Sequence, residues 1–392
     1  MNAINETPTI ALVANTAWSL YNFRLGLIKA LQKAGWQVLA IAPADEYADI
    51  LAGYGCHFEH ISLDNYGSSP VKDLKSLFEF IKIYRQYKID FIFHYTIKPN
   101  IYGSLAAAYL NIPSIAVVTG LGQLFTHLSW KTYLARALYA IAFRKAHQVW
   151  FLNESDASIF SQLGIVSESK INYLPSEGVN TRHFQQYAYG LLTNGSFKFL
   201  LAARLIAEKG VRDFVEAARL VRKKGYQAEF QLLGFLEPDN PSGITHQEIR
   251  QWEAEGAIRY LGTTKDVRPY LEKADCLVLP TYYREGVPRI LMEGASMQMP
   301  LIATDNVGCR QVIEDGVNGF LCRRKDPASL ARCMENMMML SFEERARFGL
   351  LGRRRVYTLY HENIIINKYL RALNFYFHTS KTSPKPSVPA TY

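Results

Sequence analysis

The chain predicts an α/β protein of two doubly wound, Rossmann-like domains facing each other across a cleft, followed by C-terminal helices. Three observations carry this. Its 392 residues, 49% of them hydrophobic, suffice for two cores of ordinary size. Short apolar runs alternate with helix-period segments, the pattern of a parallel sheet covered on both faces. The alternation stops at a polar stretch, FQQYAYGLLTNGS at 184–196, and then starts again.

In the first unit, residues 1–184, TIALVANT, WQVLAIAP, CHFEHISL, IDFIFHYT, PSIAVVTG and HQVWFLNE read as buried strands. Segments such as FRLGLIKALQKAG and VKDLKSLFEFIKIYRQYK read as the helices between them. The polar stretch that follows is the linker. In the second unit, residues 197–360, the strands are FKFLLAAR, AEFQLLG, IRYLG, DCLVLP and PLIATD, with VRDFVEAARLVRKKG and DVRPYLEKA among the helices. After Asp326 the pattern turns helical through PASLARCMENMMML and FEERARFGLLGRRRVYTLY. A last helix at 361–378 is expected to pack back on the first domain, and 379–392, TSKTSPKPSVPATY, to be a disordered tail.

Composition narrows the function. No run of 18 apolar residues occurs, so no membrane-spanning helix is predicted. The N-terminus, MNAINETPTIALVANTAW, lacks a basic segment followed by a long apolar one, which argues against a secretory signal. The five cysteines, Cys56, Cys276, Cys309, Cys322 and Cys333, are scattered without CxxC spacing, so neither a disulfide framework nor a zinc site is expected, and a reducing cytoplasm fits best. The net charge of +9 is unevenly spread. From Phe91 to Asn153 there is no acid, whereas Lys98, Lys131, Arg136, Arg144 and Lys145 are present. LSWKTYLARALYAIAFRKAH mixes Trp130, Leu134, Leu138, Tyr139 and Phe143 with these cations at helical spacing. Such a helix can lie on an anionic bilayer, and it can equally be an ordinary packed helix with a solvated basic face. No nucleic-acid module accompanies the charge, so nucleic acid is not an expected partner.

Two doubly wound units place a ligand in the cleft between them, at the carboxyl ends of the strands. At one such end DCLVLP closes on Pro280, TYYREG turns, and Pro288 suits the first turn of a helix. The amides around Gly286, Val287, Pro288, Arg289 and Ile290 then form a helix N-terminus suited to a phosphate. Glu285 and Glu293 flank it, and carboxylates accept hydrogen bonds from sugar hydroxyls, although an exposed loop acid and a helix acid paired with a nearby cation would look the same. FLLAARLIAEKG puts Arg204 and Lys209 directly after the first strand of the second unit, where cations can meet a diphosphate or stand as a solvated basic turn.

LAARLIAEKG, LLG at 232–234, LPTYYREGVPRILMEGASMQMPLIATD and VIEDGVNGF together resemble the C-terminal half of glycosyltransferase family 4, retaining enzymes of the two-domain GT-B fold. The spacing of Glu285 and Glu293 matches the family's paired glutamates. SLYNFR at 19–24, YTIKPNIYGSLAA at 95–107, VTGLGQLF at 118–125 and VWFLNESD at 149–156 are similar to the bacterial subgroup that builds lipid-linked oligosaccharides, including N-acetylgalactosaminyltransferases acting on undecaprenyl-diphosphate sugars.

The resemblance implies transfer from a nucleoside-diphosphate sugar, UDP-linked by this likeness, to a lipid-diphosphate-linked sugar, at the cytoplasmic face of the inner membrane. It implies that Arg204 and Lys209 bind the donor diphosphate and stabilise it as it leaves, and that Glu293 accepts from the ribose. Glu285, with the backbone of Gly286 to Ile290, would hold donor sugar and diphosphate, and Gly234 would let the base approach its loop. Arg24, Lys98, Thr119 and Gly120 are the acceptor-side candidates. No D-x-D triplet occurs, and with Arg204 and Lys209 able to take a divalent ion's place, transfer without a metal is expected. Where many members carry a histidine near the reacting sugar, this chain has Thr119-Gly120-Leu121-Gly122, and neither His94 nor His127 matches that position. A sugar-nucleotide epimerase of similar architecture and a non-catalytic sugar-nucleotide-binding protein are the alternative readings.

Overall fold

A computed structural model describes residues 7–64, 69–121, 130–185, 196–238, 240–283 and 285–382. The first sheet is built from β1 (Thr9–Val13), β2 (Gln37–Ala42), β3 (His57–His60), β4 (Phe91–Tyr95), β5 (Ser114–Val118), β6 (Gln148–Phe151) and β7 (Ile171–Tyr173). The second is built from β8 (Phe197–Ala202), β9 (Ala228–Leu233), β10 (Arg259–Tyr260), β11 (Cys276–Leu279), β12 (Leu301–Thr304) and β13 (Gly319–Cys322). Strand order is β3-β2-β1-β4-β5-β6-β7 in one and β10-β9-β8-β11-β12-β13 in the other, and every pairing is parallel. The order reverses at β1/β4 and at β8/β11, so each domain opens a crevice at those carboxyl ends.

The near-continuous apolar strands follow from burial on both faces. In β1, Ile10 and Leu12 face one helical layer while Ala11 and Val13 face the other. Two strands escape the sequence pattern. Ile171–Tyr173 is three residues long and Gly319–Cys322 is four, both at sheet edges, where the strands are only partly buried and lack a long apolar run.

The last helix, Glu362–Thr382, returns to the first domain. Ile365, Tyr369 and Leu373 share one core with Ile10, Leu12, Phe93 and Trp150, and the Tyr369 ring meets Phe93 edge-on at 4.9 Å. Four residues assigned to a tail, 379–382, therefore belong to this helix, while 383–392 lie outside the described residues. The same holds for most of the linker, 186–195.

His94 lies on β4, completely buried, with Tyr84 Oη 2.9 Å from its Nε2 and Ser104 Oγ 3.2 Å from its Nδ1. A Cβ on Gly103 would come within 2.6 Å of the ring, so the imidazole is packed as well as bonded. It is a fully buried core residue, and His127 falls outside the described residues. Burial pushes the imidazole down from 6.5 to about 3. A depressed base binds protons first in the unfolded chain, so its contribution is intact above the ordinary histidine pKa and is lost as pH falls toward the folded value. His94 therefore removes up to about 1.4 kcal/mol of stability per pH unit over that interval. Urea midpoints taken between about pH 7 and about pH 5 should fall less steeply for His94→Gln than for the native chain, and equal slopes would contradict the assignment.

Candidate active site

The site grows from the β8/β11 crevice. After β8 the chain runs through Arg204 to a 3₁₀ turn, Ala207–Lys209, and Gly210 turns with φ +75°. A Cβ on Gly210 would lie 2.1 Å from the Pro280 carbonyl oxygen, so only glycine lets this turn lie against the end of β11. The Glu208 carbonyl then accepts from the amides of Tyr282 (2.8 Å) and Tyr283 (3.1 Å), stapling the two loops. Lys209 Nζ is thereby held 2.7 Å from Glu285 Oε1, with 12% and 19% of the two side chains exposed. Thr281 Oγ1, fully buried, lies 3.1 Å from the same carboxylate oxygen. Behind the pair, burial pushes the Cys309 thiol well up, which keeps it uncharged.

Arg204 stands at the rim. Its Nη1 donates to Glu237 Oε1 at 3.1 Å, and its guanidinium lies 6.0 Å from the centre of the Tyr283 ring, which Lys209 approaches to 5.7 Å. Burial raises the Tyr283 phenol above its ordinary value, and Arg204 pulls it the other way. Gly234 has φ +150°, and a Cβ there would be 1.7 Å from the Ala203 carbonyl oxygen. What its missing side chain permits in this structure is backbone packing of the β9 loop on the Arg204 loop.

The helix after the turn spans Arg289–Ser296, and Pro288 is its extended N-cap (φ −62°, ψ 118°). Pro288 thus stands one residue outside the helix, where the sequence placed it in the first turn, because its ψ remains extended. Among the described residues, the amides of Gly286, Val287, Arg289 and Ile290 meet no protein acceptor. They line the mouth of the helix beside the Lys209–Glu285 pair. Glu293, one turn inside, accepts from Arg289 Nε at 2.8 Å. Burial raises its carboxyl above the usual range, partly countered by Arg289.

These loops meet the first domain directly. A Cβ on Gly286 would be 2.6 Å from Leu152 Cδ1 and 2.9 Å from the Thr119 carbonyl oxygen, which brings the Thr119-Gly120 loop to the turn that carries Glu285 and Gly286. Arg289 Nη1 donates to the Gly178 carbonyl at 3.0 Å, and its guanidinium lies 5.1 Å from the Phe23 ring centre. Arg24 and Lys98, proposed as acceptor-phosphate contacts, are both engaged. Arg24 is buried, 2.5 Å from Glu177 and 4.2 Å from the Tyr95 ring centre. Burial opposes its charge and Glu177 restores it, leaving its pKa raised. Lys98 Nζ is 2.6 Å from Asp73 Oδ1, and Tyr102 Oη donates to the other Asp73 oxygen at 3.0 Å. Each cation is thus held by a carboxylate, 153 or 25 residues away in the chain. Glu237, Thr281, Tyr283 and the Arg289 side chain escaped sequence reading. Thr281 and Tyr283 stood in the TYYREG turn and Glu237 three residues after Gly234, so loop signals pointed to their places but not to their contacts.

Two doubly wound domains facing each other, with cations at one switch point, are the architecture of GT-B glycosyltransferases. The chain overlays a glycosyltransferase from Rickettsia africae with a TM-score of 0.76 at 17% identity, covering 96% of this chain and 100% of that one. Residues 9–153 match the family model "Glycosyl transferase 4-like", and 196–339 match "Glycosyl transferases group 1". The N,N'-diacetylbacillosaminyl-diphospho-undecaprenol alpha-1,3-N-acetylgalactosaminyltransferase of Campylobacter jejuni is 30% identical over 378 residues, covering 92% of this chain and 97% of its own. The UDP-Gal:alpha-D-GlcNAc-diphosphoundecaprenol alpha-1,3-galactosyltransferase of Escherichia coli is 24% identical over 66% of this chain and 68% of its own. The chain belongs to glycosyltransferase family 4.

Lys209→Met and Glu285→Gln each dismantle the pair at the crevice floor. Each should lower kcat/KM about 10²- to 10³-fold, as loss of one preorganised charge does. Steady-state kinetics with circular dichroism to confirm folding tests this, and rates within about twofold of native for both would remove the pair from the site.

Proposed function

We propose that this chain moves a hexose or N-acetylhexosamine, with retention, from a nucleoside-diphosphate sugar, UDP-linked in our reading, to a lipid-diphosphate-linked sugar during cell-surface glycan assembly. The observation that carries it is the Lys209–Glu285 pair at the β8/β11 switch point, with Arg204 at its rim and the open amides of Gly286, Val287, Arg289 and Ile290 beside it. That arrangement suits a leaving diphosphate next to sugar hydroxyls. The acceptor class is supported by the relatives, whose names specify sugars on undecaprenol diphosphate.

In the proposed reaction the bond from the anomeric carbon to the β-phosphate oxygen breaks, and its electron pair leaves with the diphosphate. An acceptor hydroxyl forms the new carbon–oxygen bond on the same face, and its proton passes to the departing phosphate oxygen. Arg204, Lys209 and the helix amides stabilise the charge that develops there. Glu285 orients the sugar hydroxyls and Glu293 the ribose, a positioning role distinct from the acid/base pair of a glycoside hydrolase. Two cations at the diphosphate allow transfer without a metal ion. Peripheral work at the cytoplasmic face of the inner membrane belongs to the same proposal.

Mass spectrometry of a matrix of UDP- and GDP-sugars against lipid-linked acceptors should give one productive pair, with turnover kept after dialysis against EDTA. Loss of turnover restored by a divalent ion would refute metal independence. A donor converted without acceptor, seen by NMR, would indicate an epimerase instead, and tight donor binding without transfer a non-catalytic protein.

A further inference from the structure

The sequence left open whether the basic segment around 130–147 is a solvated face or a membrane face, and the structure changes the terms. In the helix Trp130–Phe143, Tyr139 and Phe143 are core residues, whereas Tyr133 (60% exposed), Leu134 and Ile141 (53% exposed) point outward. The outward face of this helix is apolar. It packs on the short helix Ser104–Tyr109, and that helix packs on Pro70–Gln86, so the three form one layer over the first sheet. On Pro70–Gln86 the same thing recurs: Val71 (80% exposed), Leu74 and Phe78 (62% exposed) follow i, i+3, i+7 spacing on the side opposite the buried Phe80.

The charges around these stripes are mainly positive. Lys75, Lys82 and Arg85 lie exposed on the same outer side of Pro70–Gln86. Its two acids are committed elsewhere, Asp73 to Lys98 and Tyr102, and Glu79 to the Ser62 amide at 3.2 Å. Arg85 reaches over the exposed Tyr109 ring at 5.6 Å, and Arg136 over Tyr133 at 5.6 Å. Among the described residues these two apolar stripes flank the short helix Ser104–Tyr109 and stay exposed, an arrangement that a folded domain rarely leaves without a partner. Apolar residues fringed by long cationic side chains match an acyl boundary beneath anionic headgroups, where the rings and aliphatic groups enter and the cations reach up to phosphate.

We propose that this layer, Pro70–Gln86 with Trp130–Phe143, is the face by which the enzyme docks on an anionic bilayer. The Lys98–Asp73 ion pair ties the docking helix to the loop after β4, so docking would bring a membrane-held acceptor to the β1/β4 crevice. This rests on the reading of the acceptor as lipid-linked.

Co-sedimentation of the full chain with vesicles tests the face without any acceptor. Binding should be strong to phosphatidylcholine vesicles containing phosphatidylglycerol, weak to phosphatidylcholine alone, and reduced by salt. Phe78→Glu with Ile141→Glu should weaken binding at least about tenfold, and Lys75→Glu with Lys82→Glu about fivefold or more per residue on anionic vesicles only. Both pairs should keep the native circular dichroism and turnover on a short-chain, water-soluble acceptor. Equal binding by native chain and variants, or by neutral and anionic vesicles, would overturn the proposal. So would a dimer in light scattering that Phe78→Glu dissociates, which would assign the face to a second copy. Vesicle binding without transfer to any lipid-linked acceptor would count against the acceptor reading and leave the docking face standing.

Discussion

The geometry of the crevice depends on one carbonyl. Glu208 O accepts from two successive amides, Tyr282 and Tyr283, and so locks the loop after β8 to the loop after β11. Those loops carry Lys209 and Glu285, residues 76 positions apart that close to 2.7 Å. Without the staple, two long side chains would each have to give up rotamer freedom to find the other, and a surface pair gains little by doing so. With it, the backbone has already set the geometry. The contact is possible because Gly210 has no Cβ to strike Pro280.

The second constraint lies between the domains. Gly286 meets Leu152 and the Thr119 carbonyl at a distance that excludes a Cβ, and Arg289 spans from Glu293 to the Gly178 carbonyl. Arg289 therefore belongs to both domains at once. Its ion pair lies inside the site, where it offsets the cost of burying Glu293, while its second contact holds the segment 177–179 between the two domains. The same segment carries Glu177, which neutralises the buried Arg24. Val179 further bonds to Tyr360 and Glu362 at the start of the returning helix, so the segment 177–179, the cleft and the last helix form one connected region.

The first domain combines a conventional core with an unconventional outside. Buried deep in that core, His94 finds a partner for each ring nitrogen in Tyr84 and Ser104, as interiors favour. Its helices Pro70–Gln86 and Trp130–Phe143, in contrast, display apolar stripes that core formation leaves unused. Core and exposed stripes occupy opposite sides of the same helices. Periodicity alone cannot tell a stripe turned to the sheet from a stripe turned to solvent, and this explains why Leu134 and Phe143 looked alike in the sequence while only Phe143 is buried.

By itself the sequence determined the elements and the chemistry available to them. Apolar runs bounded by turns located six strands of the first sheet and five of the second, since burial on both faces demands such runs. Arg204, Lys209, Glu285 and Glu293 were legible because each follows a strand end or a helix start, where a doubly wound fold exposes side chains. Tertiary structure decided which of these groups meet. Lys209 with Glu285, Arg204 with Glu237, Arg24 with Glu177 and Lys98 with Asp73 are pairs set by strand order, and strand order is fixed by packing between segments far apart in the chain. It also decided that Pro288 caps the helix instead of opening it, and that Arg24 and Lys98 are already paired. Local pattern carries residue type and period, whereas partner choice is a property of the assembled core.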